Sequence, residues 1–203
     1  VTCATSETEF KEYIATLATQ NQDAFVKLQP MIGDIVVQGR LESKYMGIFL
    51  NDTRVNSVMG DMIHCSYITD SQDKDIDVGM IQINSKTLPQ GVTTIVDKIE
   101  TNQDSLKIGA KIYTIGFPEG LELGQTDIGL EANNQSGEVT QLRGDISFGH
   151  NMQITHGASG SPIFNQYGQL VGIVNAGYEK NGVSTGYNMA ISAKYISKLL
   201  NNK

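Results

Sequence analysis

The chain has 203 residues, with 15 Lys plus Arg against 22 Asp plus Glu and a formal net charge of −7. Apolar residues make up 39% of it, enough for a real core, so general disorder is excluded. The negative balance disfavours nonspecific nucleic-acid binding. With no apolar run of about 18 residues, no membrane insertion through a helix is expected.

In chain order, Val1–Glu12 lacks the basic and apolar regions of a signal peptide, which fits a mature or trimmed secreted chain. Ser6 and Glu9 have capping-box spacing, and Phe10, Tyr13, Ile14, Leu17 and Ala18 then share one face. This spacing predicts an early helix over Ser6–Gln20, ending before Pro30. Short extended runs follow at Ile32–Gln38, Tyr45–Leu50, Val55–Met59, Met62–Ile68 and Val78–Ile83. Ser85–Gly91 reads as a boundary loop, giving an N-terminal lobe over 1–90 and a C-terminal lobe over 91–203. Further runs lie at Thr93–Val96, Lys111–Gly116, Thr126–Leu130, Glu138–Leu142, Ile146–Phe148, Ser161–Phe164, Leu170–Val174 and Ser184–Met189. Ala190–Leu200 closes the chain as an amphipathic helix through Ile191, Tyr195, Ile196 and Leu199. Many short strands without alternating long helices predict an all-β sandwich or barrel fold and argue against a doubly wound sheet. Cys3 and Cys65 can form one bridge or remain two buried thiols.

The densest chemistry lies in Thr155-His-Gly-Ala-Ser-Gly-Ser-Pro-Ile-Phe164. Glycines on both sides of Ser159 let the backbone turn tightly. Such a turn can aim the N–H groups of Gly157 and Ser159 at one point beside the serine hydroxyl.

Gly157-Ala-Ser-Gly-Ser-Pro162, with Phe164-Asn165, Gly168 and Leu170-Val-Gly-Ile173, resembles the chymotrypsin-like serine endopeptidases, closest to the bacterial glutamyl endopeptidases and HtrA-like proteases. Lys107–Pro118, Asp75–Ile83 and Asn188–Ile191 carry further similarity, so the resemblance spans about residues 75–200. It implies two antiparallel β-barrel lobes, with the first incomplete or remodelled around the early helix. It also implies peptide-bond hydrolysis through an acyl-enzyme. Ser159 would be the nucleophile, Gly157 and Ser159 N–H the oxyanion donors, and Asp77 the carboxylate orienting a histidine. Asp73 and Asp75 are rivals, but Asp77 directly precedes the Val78–Ile83 strand. Gln153 would sit near the base of the specificity pocket. Val174, Asn175, Ala176 and Gly177 would form the wall that pairs with an extended peptide or protein substrate. A neutral side chain is the preferred specificity, because Gln153 is not an Asp and Val174 stands where glutamyl endopeptidases carry a histidine. The family implies a secreted or cell-envelope location.

The histidine is the scarce element. The chain has three. Only His64 precedes Asp77, and twelve residues separate them, whereas two strands with their turns need about twenty. His150 and His156 would shape the substrate pocket or sit in its loop. A second alignment sets Val1-Thr-Cys-Ala4 against the strand that leads to the family's histidine, which puts Thr5 in its place. A threonine hydroxyl does not titrate near neutral pH and cannot act as that base. A catalytically impaired relative that binds peptide or protein, or a fragment of a larger protease, is therefore the alternative. No cofactor is expected. Asp70, Asp73, Asp75 and Asp77 lack the glycine and glutamate of a calcium loop, so no metal is expected either. Gly116, Gly120 and Gly124 are too scattered for a phosphate loop.

Overall fold

The computed structural model describes residues 16, 19–23, 26, 46–73, 76–93, 95–102, 105–180 and 183–201. The chain divides into two compact units, Val1–Ser43 and Lys44–Lys203. In the first, Thr16, Thr19, Gln20, Gln22, Asp23 and Val26 are helical. The start of the predicted early helix, the run Ile32–Gln38, Cys3 and Thr5 lie outside the described residues.

The second unit opens with a small sheet of β1 (Met46–Ile48), β2 (Ile63–Asp70) and β3 (Gly79–Ile83), antiparallel and in that order. Cys65 pairs with Met46 and Ile83, and Tyr67 with Ile81. Side chains alternate across a strand, so Met46, Ile48, Ile63, Cys65, Tyr67, Ile81 and Ile83 share one face. Gly47, His64, Ser66 and Gln82 take the other.

Six strands then close into a barrel: β4 (Lys111–Gly116), β5 (Asn133–Arg143), β6 (Ser147–His150), β7 (Pro162–Asn165), β8 (Leu170–Lys180) and β9 (Val183–Ser192). Their spatial order is β4-β5-β6-β9-β8-β7, with β7 pairing back to β4. Alternation fills the interior with Ile112, Val139, Phe148, Met152, Ile163, Val171, Val174 and Ala190. The predicted all-β architecture thus stands, and it is that of the chymotrypsin-like fold, with few and short helices among the described residues.

Four predicted elements differ. Val55–Met59 is not a strand. Ser57 caps a short helix α1 (Val58–Asp61) by accepting from Gly60 N–H at 3.1 Å, and Asp61 Oδ2 accepts from Asn56 and Ser57 N–H. Side chains that bond the local backbone compete with strand pairing. Thr126–Leu130 is a loop, closed by Thr126 Oγ1 donating to the Gly129 carbonyl at 2.8 Å. Gly129 sits at φ +135°, and a Cβ there would strike the Asp52 carbonyl. The described residues of Thr93–Val96 are also irregular. The C-terminal helix starts three residues late, as α3 (Ala193–Asn201), because Ala190 and Ile191 continue β9 and pair with β6 and β8. Another short helix, α2 (Leu121–Gly124), follows β4.

Candidate active site

Asp77 lies in the link between β2 and β3. Ser71 N–H donates to the Val78 carbonyl at 2.8 Å, and Ile76 N–H to the Asp73 carbonyl at 3.1 Å. Alternate side chains point opposite ways, so buried Ile76 and Val78 leave Asp77 facing outward between them. Ile76 and Val78 pack with Ile191, against Ile146, Ile173, Tyr195 and Leu199. The carboxylate is therefore placed by an apolar clamp on β8, β9 and α3.

Ser159 is set by a turn stitched at several points. Ala158 N–H donates to the Thr155 carbonyl, Ser161 N–H to Ala158, and Gly160 N–H to Val174 at 2.8 Å. Gly157 has φ +83°, a region closed to most side chains. A Cβ at this position would meet Gly120 N at 2.9 Å and Glu119 N and the Phe117 carbonyl at 3.0 Å. The turn lies this close to 117–120 because Glu119 N–H donates to the His156 carbonyl at 2.6 Å. Among the described residues, the N–H groups of Gly157 and Ser159 have no hydrogen-bond partner. The Ser159 hydroxyl donates to the Asn175 carbonyl at 3.3 Å.

A cavity of about 430 Å³ brings these parts together. Asp77, Ser159, Val174 and Asn175 all line it. Met80, Ile173, Ile196 and Leu199 give it an apolar wall. The contribution of α3 was not readable from sequence, since an amphipathic helix announces an apolar face but not what that face covers. Gly157 adjoins the nucleophile turn. Ala176 and Gly177 continue β8 beyond the cavity, paired to Met189 and Asn188 of β9. On the β7 side, β8 has no backbone partner from Asn175 onward among the described residues. Gln153 is exposed in the segment before the turn and does not line the cavity. Asp73 does not line it, and Asp75 lies outside the described residues.

None of the three histidines lines the cavity. His64 pairs with Gly47, and its carbonyl accepts from Asn84 N–H at 3.0 Å. Asp70 at the other end of β2 pairs with Gly79. Six residues of strand, about 20 Å, thus separate His64 from the Asp77 end of this hairpin. His150 is fully buried in β6 beside Phe148. Burial pushes its imidazole down to about 4, partly offset by the Met189 backbone. Its ring nitrogens make no hydrogen bond of good geometry. His156 is exposed three residues before Ser159. Among the described residues, no group of three His, Cys, Asp or Glu side chains is gathered for a metal. No helix among them is long and apolar enough to cross a membrane.

Known proteins are similar to this chain in sequence. The family model described as a trypsin-like peptidase domain matches residues 42–173. A probable periplasmic serine endoprotease DegP-like from Pseudomonas savastanoi pv. phaseolicola is 28% identical over 123 residues. Its counterpart from Pseudomonas fluorescens is 32% identical over 124 residues. Each match covers 59% of this chain and 23% of the relative. Protease Do-like 1, chloroplastic, from Arabidopsis thaliana is 29% identical over 135 residues, covering 59% of this chain and 26% of its own. The chain thus spans about a quarter of the length of the curated relatives it matches. Because the matched span runs from just before β1 into β8 and takes in both Asp77 and Ser159, the chain belongs to the trypsin-like peptidase family.

Proposed function

We propose that this chain is a serine endopeptidase acting on peptide or protein substrates through an acyl-enzyme. The observation that carries this reading is that Ser159 and Asp77 line one cavity beside two unpaired N–H groups. Ser159 Oγ attacks the scissile carbonyl and passes its proton to an imidazole held by Asp77. Gly157 and Ser159 N–H receive the developing oxyanion. An extended peptide adds to the free edge of β8 through Asn175, Ala176 and Gly177, with Val174 at the wall. Gln153, in the segment before the nucleophile turn, favours a neutral side chain in the specificity pocket. The chain is read as an N-terminal lobe over 1–90 and a C-terminal lobe over 91–203, joined near 85–91. The similar proteases are described as periplasmic and chloroplastic, which supports a secreted or cell-envelope location here.

The test is mass spectrometry of the protein after a fluorophosphonate probe, in buffers with and without imidazole. An adduct on Ser159, absent from Ser159→Ala, is expected. No adduct in any buffer would leave a peptide-binding relative without turnover as the reading.

A further inference from the structure

Away from the nucleophile, the outer face of the barrel carries a second cavity of about 440 Å³, within the range of about 300–1,000 Å³ of small-molecule sites. Lys111, Tyr113, Ser136, Gly137, Glu138 and Asn151 line it. Alternation along β4 turns Ile112 and Thr114 inward, so Lys111 and Tyr113 face out. Register then sets Glu138 of β5 beside Lys111, and Ser136 beside Tyr113. Asn151 closes the cavity from the other side of β5. Its N–H donates to the Glu138 carbonyl at 3.2 Å, and its Oδ1 accepts from Glu138 N–H at 2.7 Å. A Cβ at position 137 would lie 2.5 Å from that Oδ1, so glycine is what lets the amide sit there. The bond fixes the amide with Nδ2 as its remaining donor. Gly116, which packs against Ser161 beside the nucleophile turn, is five residues along β4 from Lys111. That spacing puts the cavity about 17 Å from the turn.

Lys111 and Glu138 are opposite charges in register, yet they form no ion pair. The Tyr113 and Ser136 hydroxyls and Asn151 Nδ2 have no hydrogen-bond partner among the described residues either. Donors and acceptors of both signs thus converge around one exposed aromatic ring. One cation beside one carboxylate gives no net charge for a phosphate or a nucleic acid. A single carboxylate is too few for a hard metal ion. One ring is too little apolar surface for a lipid. A neutral polyhydroxy ligand fits, because each of its hydroxyls gives one hydrogen bond and accepts others. We propose that this cavity binds a pyranose unit of a glycan, with the C–H face of the sugar on Tyr113. Glu138 accepts from adjacent sugar hydroxyls, Lys111 and Asn151 Nδ2 donate to them, and Ser136 does either. Bonds to the two charged groups are roughly twice as strong as neutral ones. A zwitterion such as a free amino acid would engage Lys111 and Glu138 but leave Tyr113, Ser136 and Asn151 idle. The site is built from β4, β5 and the residue after β6, and it stands independently of the peptidase reading.

The test is an NMR titration of the isotope-labelled full chain with cellobiose, with chitobiose and with diglycine. Saturable shifts at millimolar disaccharide, confined to amides of β4, β5 and Asn151, are expected. Tyr113→Leu keeps an apolar side chain but removes the ring, and should weaken binding by about tenfold. Glu138→Gln removes the charge and should weaken it by a similar factor of about ten. Both side chains are exposed, so urea melts of the two variants should match that of the parent chain. Shifts with diglycine and none with either disaccharide would overturn the saccharide as ligand and make the cavity a zwitterion site. Disaccharide binding that is unmoved in both variants would put the sugar elsewhere and overturn the proposal. The absence of shifts with both disaccharides at tens of millimolar would overturn it as well.

Discussion

Ser159 donates its hydroxyl hydrogen to the Asn175 carbonyl at 3.3 Å, so the nucleophile rests on the first residue of the free β8 edge. That distance is long for an O–H···O bond, and the contact is weak. A peptide pairing along β8 competes for the same edge and frees the hydroxyl toward its base. Ser159→Ala is therefore expected to change unfolding free energy by less than about 0.5 kcal/mol, as for an exposed side chain. It should nevertheless abolish every fluorophosphonate adduct. Urea melts beside mass spectrometry check both halves.

Gly157 and Gly160 flank the nucleophile turn and both have positive φ, +83° and +88°. They differ in what surrounds them. A Cβ at Gly157 meets three backbone atoms within 3.0 Å, whereas nothing lies within 4 Å at Gly160. Gly160→Ala should cost only the left-handed strain, about 1–2 kcal/mol. Gly157→Ala should cost more and also shift the oxyanion donors, lowering labelling by about 10²–10³-fold. Equal loss in the two variants would argue against Gly157 as an oxyanion donor.

The clamp around Asp77 separates position from charge. Ile76→Ala opens a void beside Ile191 and is expected to cost about 2–5 kcal/mol. It should also slow fluorophosphonate labelling, because the carboxylate loses its anchor. Asp77→Asn should slow labelling while leaving the melt unchanged, since Asp77 is exposed. A melt that falls as far in Asp77→Asn as in Ile76→Ala would contradict this division.

Buried His150 gives stability an acid limit. Its imidazole titrates near 4 in the fold and near 6.5 unfolded. Above about pH 6.5 neither state binds the proton, and stability is full. Between about 6.5 and 4 the unfolded chain binds it preferentially, so stability falls, by on the order of 3 kcal/mol in all, and then levels off. Urea melts at pH 7.5, 5.5 and 4.0 should show this slope. In His150→Leu it should be shallower.

The barrel was largely legible from sequence, and the reason is visible in β4. Lys111–Gly116 alternates buried Ile112 and Thr114 with exposed neighbours, the signature of a half-buried strand. The runs around 55–59 and 126–130 misled because Ser57, Asp61 and Thr126 bond the nearby backbone. Apolar content alone does not reveal that competition. The lengths of β8 and β9 were also hidden. The extension of β8 passes through Ala176 and Gly177, residues with poor strand propensity that are held by pairing with Met189 and Asn188 of β9. The shortage of histidines could be counted in the sequence. That none of them lines the cavity depends on register and burial, which no spacing encodes.

The Ile76–Val78 clamp has one more consequence. Because these two side chains bury themselves among Ile173, Ile191, Tyr195 and Leu199, the β2–β3 link is a plug in the flank of the barrel. A protein trimmed to begin after residue 91 would uncork that flank and expose a sticky aliphatic seam. Its insolubility would then reflect a missing stopper, with the barrel's own strands intact.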